Sequence, residues 1–100
     1  MKRYEVEFSE EAIADLDSSF EWGCEKWGVA EAARWYFTTR DTINARLTAS
    51  PLGCSLAPEQ HRYKAPTRVL VIERYNVFFH VERRLVTILH IRGPFTESKL

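Results

Sequence analysis

The sequence predicts an α+β fold in a single domain spanning residues 1–100: an N-terminal strand, an antiparallel helical hairpin packed on one face of a sheet, and a mainly antiparallel sheet ending in three consecutive strands. Three observations predict it. Residues 4–8, YEVEF, alternate apolar and acidic side chains, the period-2 pattern of a strand with one wet face. Two long stretches follow in which apolar residues recur at steps of three and four, the spacing of one helical face. Three β-branched and aromatic runs then come late in the chain: TRVLVIE, NVFFHVE and LVTILHI. The turns between them are too short for anything but antiparallel pairing.

Taken in order, Ser9 is placed to cap the first helix, with Glu10 and Glu11 in the turn where the helix dipole favours anions. Ile13, Leu16, Phe20, Cys24 and Trp27 form its predicted inward stripe, and Gly28 is its stop, although Gly23 weakens the last turn. A second helix is predicted from Val29 or Ala30 to about Ala49, with Ala33, Tyr36, Phe37, Ile43 and Leu47 inward and Arg40 interrupting the stripe. Ser50-Pro51 ends it. With so short a link, the two helices must run antiparallel. From Pro51 to Pro66 the chain carries three prolines, Gly53 and no periodicity, which predicts a long surface loop of the kind that often carries function.

If Arg83-Arg84 is the last hairpin turn, Glu82 opposes Leu85 and His80 opposes Thr87. One sheet face then carries Val77, Phe79, Val81, Val86, Ile88 and His90. The other carries Asn76, Phe78, His80, Leu85, Thr87, Leu89 and Ile91. Both faces are substantially apolar, yet one helical hairpin covers only one of them. The second is covered either by the chain's own loop or tail, or by an amphipathic segment of a partner lying across Phe78, His80, Leu85, Leu89 and Ile91.

Composition narrows the function classes. The chain is 45% hydrophobic and 28% charged, too apolar for a disordered tail and too charged for a membrane protein. Fourteen basic residues meet fourteen acidic ones, against the profile of a strongly basic nucleic-acid module. Residues 1–50 hold six Lys or Arg and ten Asp or Glu, however, and residues 51–100 hold eight and four. The cations Arg62, Lys64, Arg68, Arg74 and Arg92, with Arg83 and Arg84, gather on the loop and the sheet and point to an anionic partner there. No targeting segment or apolar span is present, so the expected location is the cytoplasm. Cys24 and Cys54 read as two free thiols rather than a disulfide or metal site, and no cofactor motif occurs. On this register His90 faces the core and His80 the open side, which argues against a shared metal. His80 is the one candidate general base, with a structural role the favoured reading.

The order of these segments resembles the RelE/ParE toxin superfamily. YEVEFSEEAIADLDSSFEW resembles its opening strand and acidic-faced helix, and EAARWYFTTRDTINARLTASPLG its second helix and Pro-x-Gly turn. APTRVLVIERYNVFFHVERRLVTILHIRG resembles its terminal sheet, so the likeness covers almost the whole chain. The resemblance implies the toxin of a bacterial type II toxin–antitoxin module, held inactive by a ParD-like antitoxin whose C-terminal segment wraps it. It also implies contact with nucleic acid only through that antitoxin at its operator. RelE-like members cut mRNA on the ribosome; ParE-like members poison DNA gyrase and need no catalytic residue. Two departures favour the ParE-like branch. Asn76 follows Tyr75 where RelE-like nucleases usually carry an arginine, and the tail from Arg92 to Glu97 holds one positive charge, Arg92 itself, and no general acid. Zero net charge also suits a protein target better than RNA. On the RelE-like alternative, His80, Arg68 and Arg92 would supply the base and the phosphate contacts. A degenerate, non-toxic member of the family is the third reading.

Overall fold

The alternation and periodicities of the chain produce the expected elements in the expected order. The computed structural model describes residues 3–57 and 66–93. They form β1 (Glu5–Phe8), α1 (Glu10–Trp27), α2 (Val29–Ala49), a 3₁₀ turn (Pro51–Gly53), β2 (Ser55–Leu56), β3 (Arg68–Ile72), β4 (Tyr75–Glu82) and β5 (Leu85–Arg92). The strands build one mixed sheet in the order β1-β5-β4-β3-β2, with β1 parallel to β5 and every other pair antiparallel. Thus α+β describes the fold, with the helices on one sheet face. No described helix is long and apolar enough to cross a membrane.

Ser9 begins α1 as predicted. Its hydroxyl accepts the Ala12 N–H at 3.0 Å and donates to the Leu89 carbonyl at 3.1 Å. One side chain therefore caps the helix and ties it to β5. Gly28 alone separates the helices, at φ 97°, a conformation that L side chains rarely adopt. Contacts symmetric about it, Gly23 with Ala32 and Phe20 with Tyr36, mark the hairpin as antiparallel.

The helical stripes differ from the expectation by about one position. The inner row of α1 is Ala12, Leu16, Ser19 and Gly23, while Ile13 and Trp27 are 42% and 40% exposed. That of α2 is Ala32, Thr39, Ile43 and Leu47, with Phe37 61% exposed. Close approach explains the difference. A Cβ at Gly23 would stand 3.0 Å from the Trp27 ring and 3.3 Å from the Ala32 Cβ, so small residues line the contact and bulky ones turn to the flanks. Leu16, Ile43 and Leu47 meet Val77, Phe79, Val86 and Ile88 in the core. Each such side chain contributes about 1.5–3 kcal/mol by leaving water.

The stretch predicted as an aperiodic loop opens instead with the 3₁₀ turn and β2, whose Ser55 and Leu56 pair with Val69 and Arg68; residues 58–65 lie outside the described residues. Arg68 holds this excursion down: its Nη1 donates to the Cys54 carbonyl at 2.7 Å and the Leu52 carbonyl at 3.4 Å. Burial pushes the neighbouring Cys54 thiol up, against the pull of Arg46 and Arg68. Burial likewise raises the Tyr75 phenol, with the Ser19 hydroxyl opposing and Glu73 adding to the shift.

Two-residue turns at Glu73-Arg74 and Arg83-Arg84 join β3 to β4 and β4 to β5, each with a left-handed first residue, Glu73 at φ 55° and Arg83 at φ 59°. From the second turn the register runs as expected, His80 opposite Thr87 and Phe79 opposite Ile88. It then slips. Phe78 opposes His90 and Val77 opposes Ile91, leaving Leu89 as the extra residue of a β-bulge. Ile88 and Ile91 both face the helices, so Leu89 and His90 together occupy the other side. Ile91, expected on the open face, is 1% exposed in the core, and His90, expected to face the core, is turned outward. The cause is a change of neighbour. β1 ends at Phe8 beside Ile88, and from there Ser9 and Asp15 of α1 take the edge of β5, the Asp15 carboxylate accepting the Ile91 N–H at 2.8 Å.

Two measurements check this packing. In urea unfolding, Ile91→Ala should cost about 2–5 kcal/mol, the range for a truncated core aliphatic, and Leu89→Ala markedly less. Equal costs would contradict the bulged register. Because only thiolate reacts, iodoacetamide at about pH 8 should label Cys54 more slowly than a cysteine in an unstructured peptide. Labelling as fast as the peptide would contradict the raised thiol.

Candidate functional site

Side chains alternate across β3, β4 and β5, so what the helices do not cover is dictated by register. The outer face presents Val69 and Val71 from β3, and Asn76, Phe78, His80 and Glu82 from β4. From β5 it presents Leu85, Thr87, Leu89, His90 and Arg92. Glu5 and Glu7 of β1 extend it beside Leu85 and Thr87. Four of the five predicted groove residues, Phe78, His80, Leu85 and Leu89, come together here, each partly buried, while Val71 is 60% exposed. Ile91 is absent from it, for the reason given above.

His80 sits between Phe78 and Glu82 on β4, with Thr87 across the strand pair. Its Nδ1 is buried and has no hydrogen-bond partner among the described residues; the same holds for the Thr67 hydroxyl just before β3. An unmatched buried polar atom costs about 1–3 kcal/mol; Thr67 is wholly buried, but His80 is only partly so, and a bound group could add stability there. His90, brought to this side by the bulge, has its Nδ1 3.5 Å from the Asp15 carboxylate. Among the described residues no three His, Cys, Asp or Glu side chains gather as a metal ion would require.

The predicted cations do not converge. Arg68 shares the face of Phe79 and is committed to the Cys54 and Leu52 carbonyls, on the opposite side of the sheet from His80. Arg92 shares the face of His80 but pairs with Asn76, four residues along β4 and so about 13 Å away. Arg74, in the β3–β4 turn, stands at the Arg92 end of the sheet; Arg62 and Lys64 lie outside the described residues. Arg83 and Arg84 occupy the other end, where Arg84 donates to the Arg3 carbonyl at 3.1 Å and lies 5.9 Å over the Tyr4 ring. The sheet half is therefore basic at both ends rather than in one patch, and its middle is apolar with two histidines. Such a surface is suited to holding an amphipathic segment, and among the described residues it has no cation beside the candidate base His80. Sequence reasoning missed Asp15, whose place in an acidic helix gave no hint of a role. The signal available was Ile88-x-x-Ile91, a spacing that strict alternation cannot turn to one side.

With this geometry in hand, the chain can be set beside known proteins. The profile of the family described as "ParE toxin of type II toxin-antitoxin system, parDE" matches residues 6–93. The fold is similar to a chain of the chromosomal ParDE toxin–antitoxin system from P. aeruginosa. That likeness has a TM-score of 0.75 at 20% sequence identity and covers 90% of this chain and 95% of that one. It is also similar to a chain of the RelBE2 toxin–antitoxin complex from Mycobacterium tuberculosis. Here the TM-score is 0.65 at 18% identity, with 93% of each chain covered. No curated protein matches the sequence. Identities this low speak for the fold, and it is the match over nearly the whole length that decides the family: the chain belongs to the ParE toxins of type II toxin–antitoxin systems.

Proposed function

We propose that this toxin acts by binding DNA gyrase in the cytoplasm, without chemistry of its own, and is kept silent by a ParD-like antitoxin laid across the outer face of the sheet. The observation that carries the first part is the distance of His80 from the described cations of the sheet, Arg68 and Arg92. RNA cleavage needs a base and a cation at one phosphate. Here Arg68 is turned to the helix side, and Arg92 is about 13 Å along the face. Arg74 and Arg92, together at one end, are the described cations best placed to meet the target, joined in this proposal by Arg62 and Lys64. The antitoxin seat is supported by the partly buried row of Phe78, Leu85 and Leu89 and by the unmatched Nδ1 of His80, which a partner's polar group would satisfy. It is supported too by the two similar structures, both toxin–antitoxin assemblies.

The RelE-like reading rests on one feature, the bulge that places His90 on the same side as His80. Two assays separate the readings. The purified chain should inhibit gyrase supercoiling, and His80→Ala should inhibit as well as the parent. Unchanged supercoiling, with ribosome-dependent mRNA cleavage that His80→Ala abolishes, would replace this reading with the nuclease. A chain that neither inhibits supercoiling nor arrests growth would be a non-toxic member of the family.

A further inference from the structure

The flank of the helical hairpin carries apolar side chains that the outer sheet face does not use, of which Tyr36 also packs against the core. Because the inner row of α1 runs through Ala12, Leu16 and Ser19, Ile13 and Phe20 are turned round the helix to its flank, one above the other at a spacing of seven residues. Across the hairpin, Tyr36 packs edge-on against Phe20 with ring centroids 5.7 Å apart, and Phe37 packs on Tyr36 at 5.3 Å. A shallow cleft of about 250 Å³ runs between them, lined by Phe20, Ala33, Tyr36, Phe37 and Asp17. Phe37, 61% exposed, stands at its mouth. An apolar seam between two antiparallel helices is the shape a third helix fills, with anchors at i, i+3 or i+4, and i+7.

Charge selects among the helices that could fit. α1 carries six Asp or Glu against Lys26 alone. Nearby cations of α2 are already engaged: Arg34 lies 3.8 Å from Glu31, and the Arg40 guanidinium lies 5.4 Å over the Phe8 ring and 5.9 Å over the Tyr36 ring. What the seam offers an incomer is aromatic surface with an acidic rim. We propose that it binds a basic amphipathic helix of a partner protein, apolar side chains in the cleft and Lys or Arg against Asp17 and the acids of α1. None of the residues that line the seam belongs to the outer sheet face. The proposal does not depend on gyrase being the target.

Fluorescence anisotropy tests it on the intact chain. The probe is a labelled helical peptide of about 18 residues, five turns, with leucine at i, i+3, i+4 and i+7 and lysine elsewhere. It should bind saturably at about 0.15 M salt, where exposed long-range charge effects are screened. The same peptide with glutamate for lysine should bind at least about tenfold more weakly. Phe37→Ser should weaken the lysine peptide at least about fivefold, while Leu52→Ser, at an equally exposed apolar side chain elsewhere, should leave it unchanged. Both positions are exposed, so circular dichroism should show both variants folded. Equal binding of the two peptides, equal effects of the two substitutions, or no saturable binding would overturn the proposal. So would self-association of the chain that Phe37→Ser abolishes, because the seam would then belong to a second copy.

Discussion

β5 changes neighbours in the middle of its length, and the carboxylate of Asp15 holds that change in place. Up to Ile88 the strand is paired on its outer edge with β1. Beyond it, the partner is a helix, whose N-cap serine and second-turn aspartate supply the hydrogen bonds a strand would have supplied. A helix cannot match the even spacing of a ladder. The strand accommodates the mismatch by giving two consecutive residues, Leu89 and His90, to one side. Everything beyond that point inherits the shifted parity: Ile91 is in the core, and Arg92 is on the face of Asn76.

The same device explains why the helical hairpin sits where it does. Ser9 and Asp15 bind α1 to the strand at two points, while the small residues of its inner row let it lie close to α2. Bulky side chains then have to go to the flanks, which is how a hairpin of ordinary composition comes to expose an aromatic seam. On the other side of the sheet the bulge adds a histidine to an apolar row without adding a cation. The outer face is thus an apolar row with two histidines, and it is there that the proposed antitoxin segment would lie.

Much of this was legible in the sequence because it depended on local rules. Strand alternation in YEVEF, the Ser9 cap, the Gly28 break and the two-residue turn at Arg83-Arg84 each follow from neighbouring residues alone, and with the turn came the register as far as Phe79 and Ile88. What could not be read depended on contacts across the chain. The rotation of the helical stripes is set by Gly23 meeting Ala32, and a hydrophobic count favours the bulkier Ile13 and Phe37. The positions of Ile91 and His90 turn on a carboxylate 76 residues away in sequence. Arg68 read as a cation for a phosphate or an anionic partner, and only the paired register shows that it lies on the helix side, holding the 3₁₀ turn.

The account therefore stands most directly on one backbone amide. If Asp15 replaces a strand as the partner of Ile91, that N–H should exchange with deuterium as slowly as those of central residues such as Val77 and Val86. Its protection should fall selectively in Asp15→Ala, with Val86 unaffected. An Ile91 amide that exchanges as fast as a frayed terminus in the parent chain, or keeps its protection when the carboxylate is removed, would contradict it.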